Sequence, residues 1–96
     1  MIIMLSPIYW DRELTVSKAG DALTINGEVF DFTPLADGSV LPQAAVNCEF
    51  IAADVKRVDG VLIVTLLLPL AADASEAARF PKDIVNPPDG VVELPQ

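Results

Sequence analysis

Between an Asp59-Gly60 turn signal and Pro69 runs Val61-Leu62-Ile63-Val64-Thr65-Leu66-Leu67-Leu68, the longest stretch of strand-forming residues in the chain. It does not alternate between apolar and polar positions, so as a strand it presents apolar side chains on both faces of its sheet. Such a strand has to be covered twice. In a chain of 96 residues the second cover is either the rest of one small domain or another chain. Leu62, Val64, Leu66 and Leu68 form one row of this strand and are the expected interface positions. Residues 1–96 are read as a single domain.

A chain this size buries roughly 60–68% of the surface that its unfolded form exposes. Apolar residues make up 52% of the sequence, too many for intrinsic disorder. The excess fits either a large core fraction or a subunit interface. The net charge is −8 and histidine is absent, which opposes binding to nucleic acid or to an anionic membrane. Lys56-Arg57 is the one adjacent basic pair and reads as a solvated strand end near a turn. No segment approaches the ~20 apolar residues of a membrane-spanning helix. Met1 to Leu5 lacks a basic leader and is interrupted by Pro7, so it is not read as a signal peptide.

In chain order, Ile2–Leu5 reads as a strand that extends toward Tyr9-Trp10 past a bend at Ser6-Pro7, with Pro7 at a strand end or an edge. Leu14 and Val16 point inward from an alternating stretch, and Ala19-Gly20-Asp21 turns the chain. Ala22–Ile25 and Glu28–Phe32 flank Asn26-Gly27, whose tolerance of positive φ predicts a type I′ hairpin. Its register sets Ile25 opposite Glu28, Thr24 opposite Val29 and Leu23 opposite Phe30. Leu23, Ile25, Phe30 and Phe32 then share the core face. Val40-Leu41 is expected as a short edge strand and Gln43–Ala45 as a helical turn or a loop. Val46–Ala52 and Asp54–Val58 are expected as strands, the second joined to the central run by a tight hairpin. Residues 70–79 are the one helix candidate, weakened by low side-chain bulk. Ile84-Val85 and Val91–Leu94 complete the strands, and residues 86–96 make an edge strand or a projecting arm. The expected fold is mainly β: an antiparallel sandwich or open barrel of about six to eight short strands, with at most one short helix.

No catalytic constellation emerges. Cys48 is expected as a buried, inert thiol, since a cysteine nucleophile wants a histidine base. No phosphate loop, nucleophile elbow or zinc spacing occurs. Asp11 and Glu13 share one face of an extended segment, and Glu28 and Asp31 are a second candidate pair. Paired carboxylates can act as acid and base or hold calcium, but the simplest reading is solvated surface charge. Asp37, Asp59 and Asp89 precede glycine and belong to turns. No metal or cofactor is expected. Tyr9 and Trp10, with Asp11 and Glu13, form the one candidate binding site, although packing explains Trp10 as well and no second aromatic stands at a matching spacing.

Several phrases stand in a fixed order: Leu14-Thr15-Val16-Ser17, Gly20-Asp21, Leu23-Thr24-Ile25-Asn26-Gly27-Glu28 and Phe30-Asp31-Phe32-Thr33-Pro34-Leu35. Asp37-Gly38, Leu66-Leu67-Leu68-Pro69 and Arg79-Phe80-Pro81 follow. This order resembles small uncharacterised proteins of bacteriophages and prophages that are encoded among tail and structural genes, over most of the chain. The shared motifs are turns and core strands and bring no catalytic residue. The resemblance implies a virion-associated or assembly role, in the bacterial host cytoplasm or the virion. The expected function is therefore a non-enzymatic structural or assembly protein that self-associates or docks on another phage structural protein. The alternative is a monomeric acidic module that captures a basic protein, a cation or a carbohydrate.

Overall fold

A computed structural model describes residues 1–95; Gln96, the last residue of the expected 86–96 tail, lies outside the described residues. The fold is mainly β. Nine strands fall in two sheets, and among the described residues neither sheet closes into a barrel. The strands are β1 (Ile2–Tyr9), β2 (Val16–Ala19), β3 (Ala22–Ile25), β4 (Glu28–Asp31), β5 (Val40–Leu41), β6 (Val55–Val58), β7 (Val61–Leu70), β8 (Ile84–Val85) and β9 (Gly90–Val91). The first sheet, here sheet A, has the order β5-β6-β7-β1-β8, and sheet B has the order β4-β3-β2-β9.

The hairpins follow their turn residues. Asn26 and Gly27 both have positive φ (49° and 84°), as a type I′ turn requires. The expected pairs Ile25–Glu28, Thr24–Val29 and Leu23–Phe30 all form. Asp59 and Gly60, at φ 51° and 79°, join β6 to β7 with Val58 opposite Val61. Val40-Leu41 is the expected edge strand, and Gln43–Ala45 is a single 3-10 turn.

One pairing departs from the antiparallel expectation: β1 lies parallel to β7 in an eight-residue register from Ile2–Ile63 to Tyr9–Leu70. The two strands are far apart in the chain, and no turn signals their meeting. Both also run through prolines. The Trp10 amide donates to the Leu70 carbonyl (3.3 Å), and the Leu67 amide donates to the Phe50 carbonyl (2.7 Å). Ladder groups alternate sides along a strand. The nitrogens of Pro7 and Pro69 therefore face away from the β1–β7 ladder, where no donor is needed. Pro69 does not close the central strand, which continues to Leu70. Ser6-Pro7 does not break β1, and Pro7 sits where β1 has become a sheet edge, since β8 covers only Ile2 and Ile3.

Other boundaries shift. Val46–Ala52 is not a strand; it touches the sheet through the single bridge Ile51–Leu66. Two flanking bonds, Leu67 to Phe50 and Ala52 to Thr65, continue the free side of β7 beyond β6. Cys48 lies half-buried in this irregular segment. The helix shrinks to α1 (Glu76–Arg79), started by Ser75, whose Oγ accepts from the Ala78 amide (3.2 Å). Its alanines supply one buried contact, Ala78 against Leu68 and Leu70. The last strand shortens to Gly90–Val91 and pairs with β2 at the edge of sheet B, so the described part of the tail is an edge strand.

Both sheets bury one face in a common core. Sheet A contributes Ile3, Val55, Leu62, Val64 and Leu66, and sheet B contributes Val16, Leu23 and Ile25, with Phe32, Phe50 and Val92 filling between. Each fully buried aliphatic side chain contributes about 1.5–3 kcal/mol. This settles which row of the central strand is which. Leu62, Val64, Leu66 and Leu68, the expected interface positions, point into the core of their own chain. The opposite row, Val61, Ile63, Thr65, Leu67 and Pro69, is half-buried and faces outward.

Arg57 corrects the reading of Lys56-Arg57. Its partner across the ladder is Leu62, so it points inward, while Lys56 points to solvent. Its side chain is only 12% exposed. Nε donates to the Leu35 carbonyl (2.7 Å), and Nη2 donates to the Phe32 carbonyl (3.2 Å) and to Asp21 Oδ2 (3.0 Å). The guanidinium thereby ties β6 of sheet A to the β2–β3 turn of sheet B and to the connection that follows β4.

Candidate functional site

Tyr9, Trp10, Asp11 and Glu13 come together. They follow the end of β1 and line an open groove of about 890 Å³ whose other wall is Pro69–Ala72 at the end of β7. The parallel β1–β7 pair builds this groove, because both strands leave the sheet at the same end. Tyr9 is 66% exposed, whereas Trp10 is half-buried. A bond network positions the segment after Trp10. Asn26 Nδ2 donates to the Glu13 carbonyl (2.8 Å), and Asn26 Oδ1 accepts from the Thr15 amide (2.7 Å). The turn residue of the β3–β4 hairpin thus also holds the groove-lining loop.

The missing second aromatic is Phe50, whose ring centroid lies 5.1 Å from that of Trp10 at an interplanar angle of 39°. The guanidinium of Arg12 sits 5.1 Å from the Trp10 centroid and 5.4 Å from that of Phe50, and pairs with Glu49. A cation over aromatic faces is attracted by the ring quadrupole, by about 0.5–1 kcal/mol at an exposed site. Sequence spacing gives no hint of this cluster, since Phe50 and Glu49 arrive from an irregular segment that the Ile51–Leu66 bridge, its two flanking hydrogen bonds and core packing anchor. Trp10 is partly consumed by packing, and Tyr9 is the freer ring.

The second candidate pair of carboxylates is not gathered. Glu28 and Asp31 lie at opposite ends of β4, and their pairing with Ile25 and Ala22 puts them on opposite faces of sheet B. Asp31 Oδ1 accepts from the Thr33 hydroxyl (2.6 Å) and amide (3.0 Å), and these bonds hold its pKa below the ordinary value. Asp89 Oδ1 accepts from Lys18 Nζ (2.8 Å) and the Gly20 amide (3.1 Å), which lowers its pKa likewise. Asp37 accepts from the Gly60 amide (2.9 Å) and so joins two turns. Among the described residues no group of three or more acidic or cysteine side chains could hold a metal ion.

A second candidate surface is the outward face of sheet A. The ladder registers place Val40, Val58, Val61, Ile63, Thr65, Leu67, Pro69, Ile2, Met4, Ser6, Ile8 and Val85 on it. Met4, Ile8 and Val58 are 40–47% exposed and Val85 is 61% exposed. Lys56 is the one charged side chain among the described residues of this strand face. This apolar patch, on a chain of net charge −8, is the second candidate surface for docking. No described helix is long and apolar enough to cross a membrane. No family model, curated protein or solved structure matches the chain.

Proposed function

We propose that this chain is a non-enzymatic structural or assembly protein that works by protein–protein docking, and that it self-associates. The observation that carries this reading is the outward face of sheet A: five strands, β5, β6, β7, β1 and β8, contribute branched or long apolar side chains to one surface, with Lys56 as the single charge among its described residues. The resemblance to phage and prophage proteins supports a virion-associated or assembly setting, with the chain itself or another phage structural protein as partner. Asp21, Asp31, Asp37, Glu49 and Asp89 are held in turns and ion pairs, and this reading gives no carboxylate a catalytic role.

Light scattering across a dilution series tests the reading. A dimer or larger assembly at high concentration is the expected result. A monomer at every concentration removes self-association and favours the alternative, an acidic module that captures a basic protein through the groove of Tyr9, Trp10, Asp11 and Glu13. The groove is the observation behind that alternative, and binding that survives high salt would count against its electrostatic form.

A further inference from the structure

We infer that two copies of this chain pack face to face through the outward surface of sheet A, so that each central strand is covered once by its own sheet B and once by the second copy. This rests on the proposal of self-association and names the surface and the mode.

A β protein can pair through its sheet edges or through its sheet faces. Sheet edges are the first alternative, since unpaired backbone groups invite strand addition. Each edge here is poorly suited. Beyond Ile3 the free side of β1 offers Leu5, Pro7 and Tyr9, and Pro7 has no donor. The other edge of sheet A, β5, is two residues long. Sheet B ends in β9, also two residues long, and in β4, which carries Glu28 and Asp31. The outward face of sheet B is the next alternative. It displays Ser17, Ala19, Ala22, Thr24, Val29, Asp31 and Val91, mostly small or polar side chains. What remains is the outward face of sheet A.

Charge points to a second copy as its occupant. Two chains of net charge −8 repel, and they meet at least cost where neither brings a carboxylate. The outward positions of sheet A carry none. Strands of ten, eight, four, two and two residues, at ~3.3 Å per residue and ~4.8 Å spacing, give that face roughly 400 Å². Two copies then bury about 800 Å², the size of a weak, transient contact rather than of a permanent one. The association should therefore be reversible on dilution. Sheet faces pack at about 10 Å when their side chains interdigitate, and a two-fold axis makes the same patch serve both chains.

The test compares the wild type with Met4→Glu and Val58→Glu, each on the proposed interface, and with Val29→Glu on the outward face of sheet B. All three positions are at least 40% exposed, and circular dichroism checks that each variant folds. The expected result is a wild-type dimer, a dissociation constant raised roughly 100-fold or more by Met4→Glu and by Val58→Glu through an unpaired buried charge, and little change for Val29→Glu. If one interface variant fails to fold, the other decides. A dimer that persists in folded Met4→Glu and Val58→Glu overturns the assigned surface and leaves self-association standing. A wild-type monomer at every concentration overturns both.

Discussion

The outward faces of the two sheets differ although their inward faces share one core. Sheet B turns Ser17, Thr24, Ala19 and Ala22 to the outside, with Asp31 at its edge. Sheet A turns out Ile2, Met4, Ile8, Val58, Val61, Ile63 and Leu67. A sheet with one wet face needs only alternation, and β2 and β3 show it. A sheet without alternation signals a second cover. The difference also tracks pairing type: the apolar face is built around the parallel β1–β7 pair, and parallel strands elsewhere are found covered on both sides. The lesson is that a lack of alternation in β7 reports apolar surface on both sides of its sheet, one side of which packs on sheet B.

The sharpest way to test this contrast lies within one strand. Leu66 is fully buried, while its neighbour Leu67 faces outward and is half-buried. Leu66→Ala should cost about 3–5 kcal/mol of folding stability, the transfer loss plus the cavity it leaves. Leu67→Ala should cost about 1.5 kcal/mol or less when urea unfolding is measured in the Met4→Glu background. Equal losses would mean that the outer row is already packed and that the two faces of β7 do not differ.

Arg57 sharpens the comparison from the other side, because it makes the two inward faces one unit. Arg57→Met should lower the unfolding free energy by about 2–3 kcal/mol, since it leaves the Leu35 carbonyl without its side-chain donor, takes one of two donors from the Phe32 carbonyl and removes the pairing with Asp21. Arg57→Lys should recover little, because an ammonium cannot copy the fork that reaches acceptors on both sheets. Unfolding of both variants in urea measures this. Full rescue by lysine would show that charge near Asp21 matters and that the bridging geometry does not.

Local chemistry was the legible part of this fold. Asn26-Gly27 and Asp59-Gly60 fix backbone angles by themselves, so their hairpins and the register of β3 with β4 can be read from the chain. The apolar content of Val61–Leu68 likewise announces a strand with two dry faces. Which of its rows turns inward is not local, because that depends on a strand from the distant N-terminus docking in parallel. Hence the interface was expected on Leu62, Val64, Leu66 and Leu68 and lies, in our proposal, on the row between them. The groove is a similar case. Tyr9, Trp10, Asp11 and Glu13 stand close in sequence, but Phe50 reaches Trp10 from an irregular segment where a strand was expected. Arg57 was misplaced for a simpler reason: within a strand Lys56 and Arg57 must face opposite ways, and a basic pair read as one feature hides that.

The smallest expected effect separates the sheets by pH. Asp31 and Asp89 both belong to the sheet B side, and hydrogen bonds lower the pKa of each. For Asp89 the first cause is its bond from Lys18, followed by that from the Gly20 amide. A carboxylate whose folded pKa lies below its unfolded value, about 3.9 for aspartate, stabilises the fold fully above that unfolded value. The contribution is lost as pH falls through the lower, folded value. Wild type should therefore exceed Asp89→Asn in stability at neutral pH, and the two should converge under acid below the folded pKa of Asp89. The described outward positions of sheet A include no carboxylate, so the same titration should leave the contacts proposed for Met4 and Val58 intact. Carbon-detected NMR titration of the aspartates, run beside urea unfolding of both proteins, measures both sides. Convergence already complete above pH 4 would show that the Lys18–Asp89 contact does not hold β9 to its sheet.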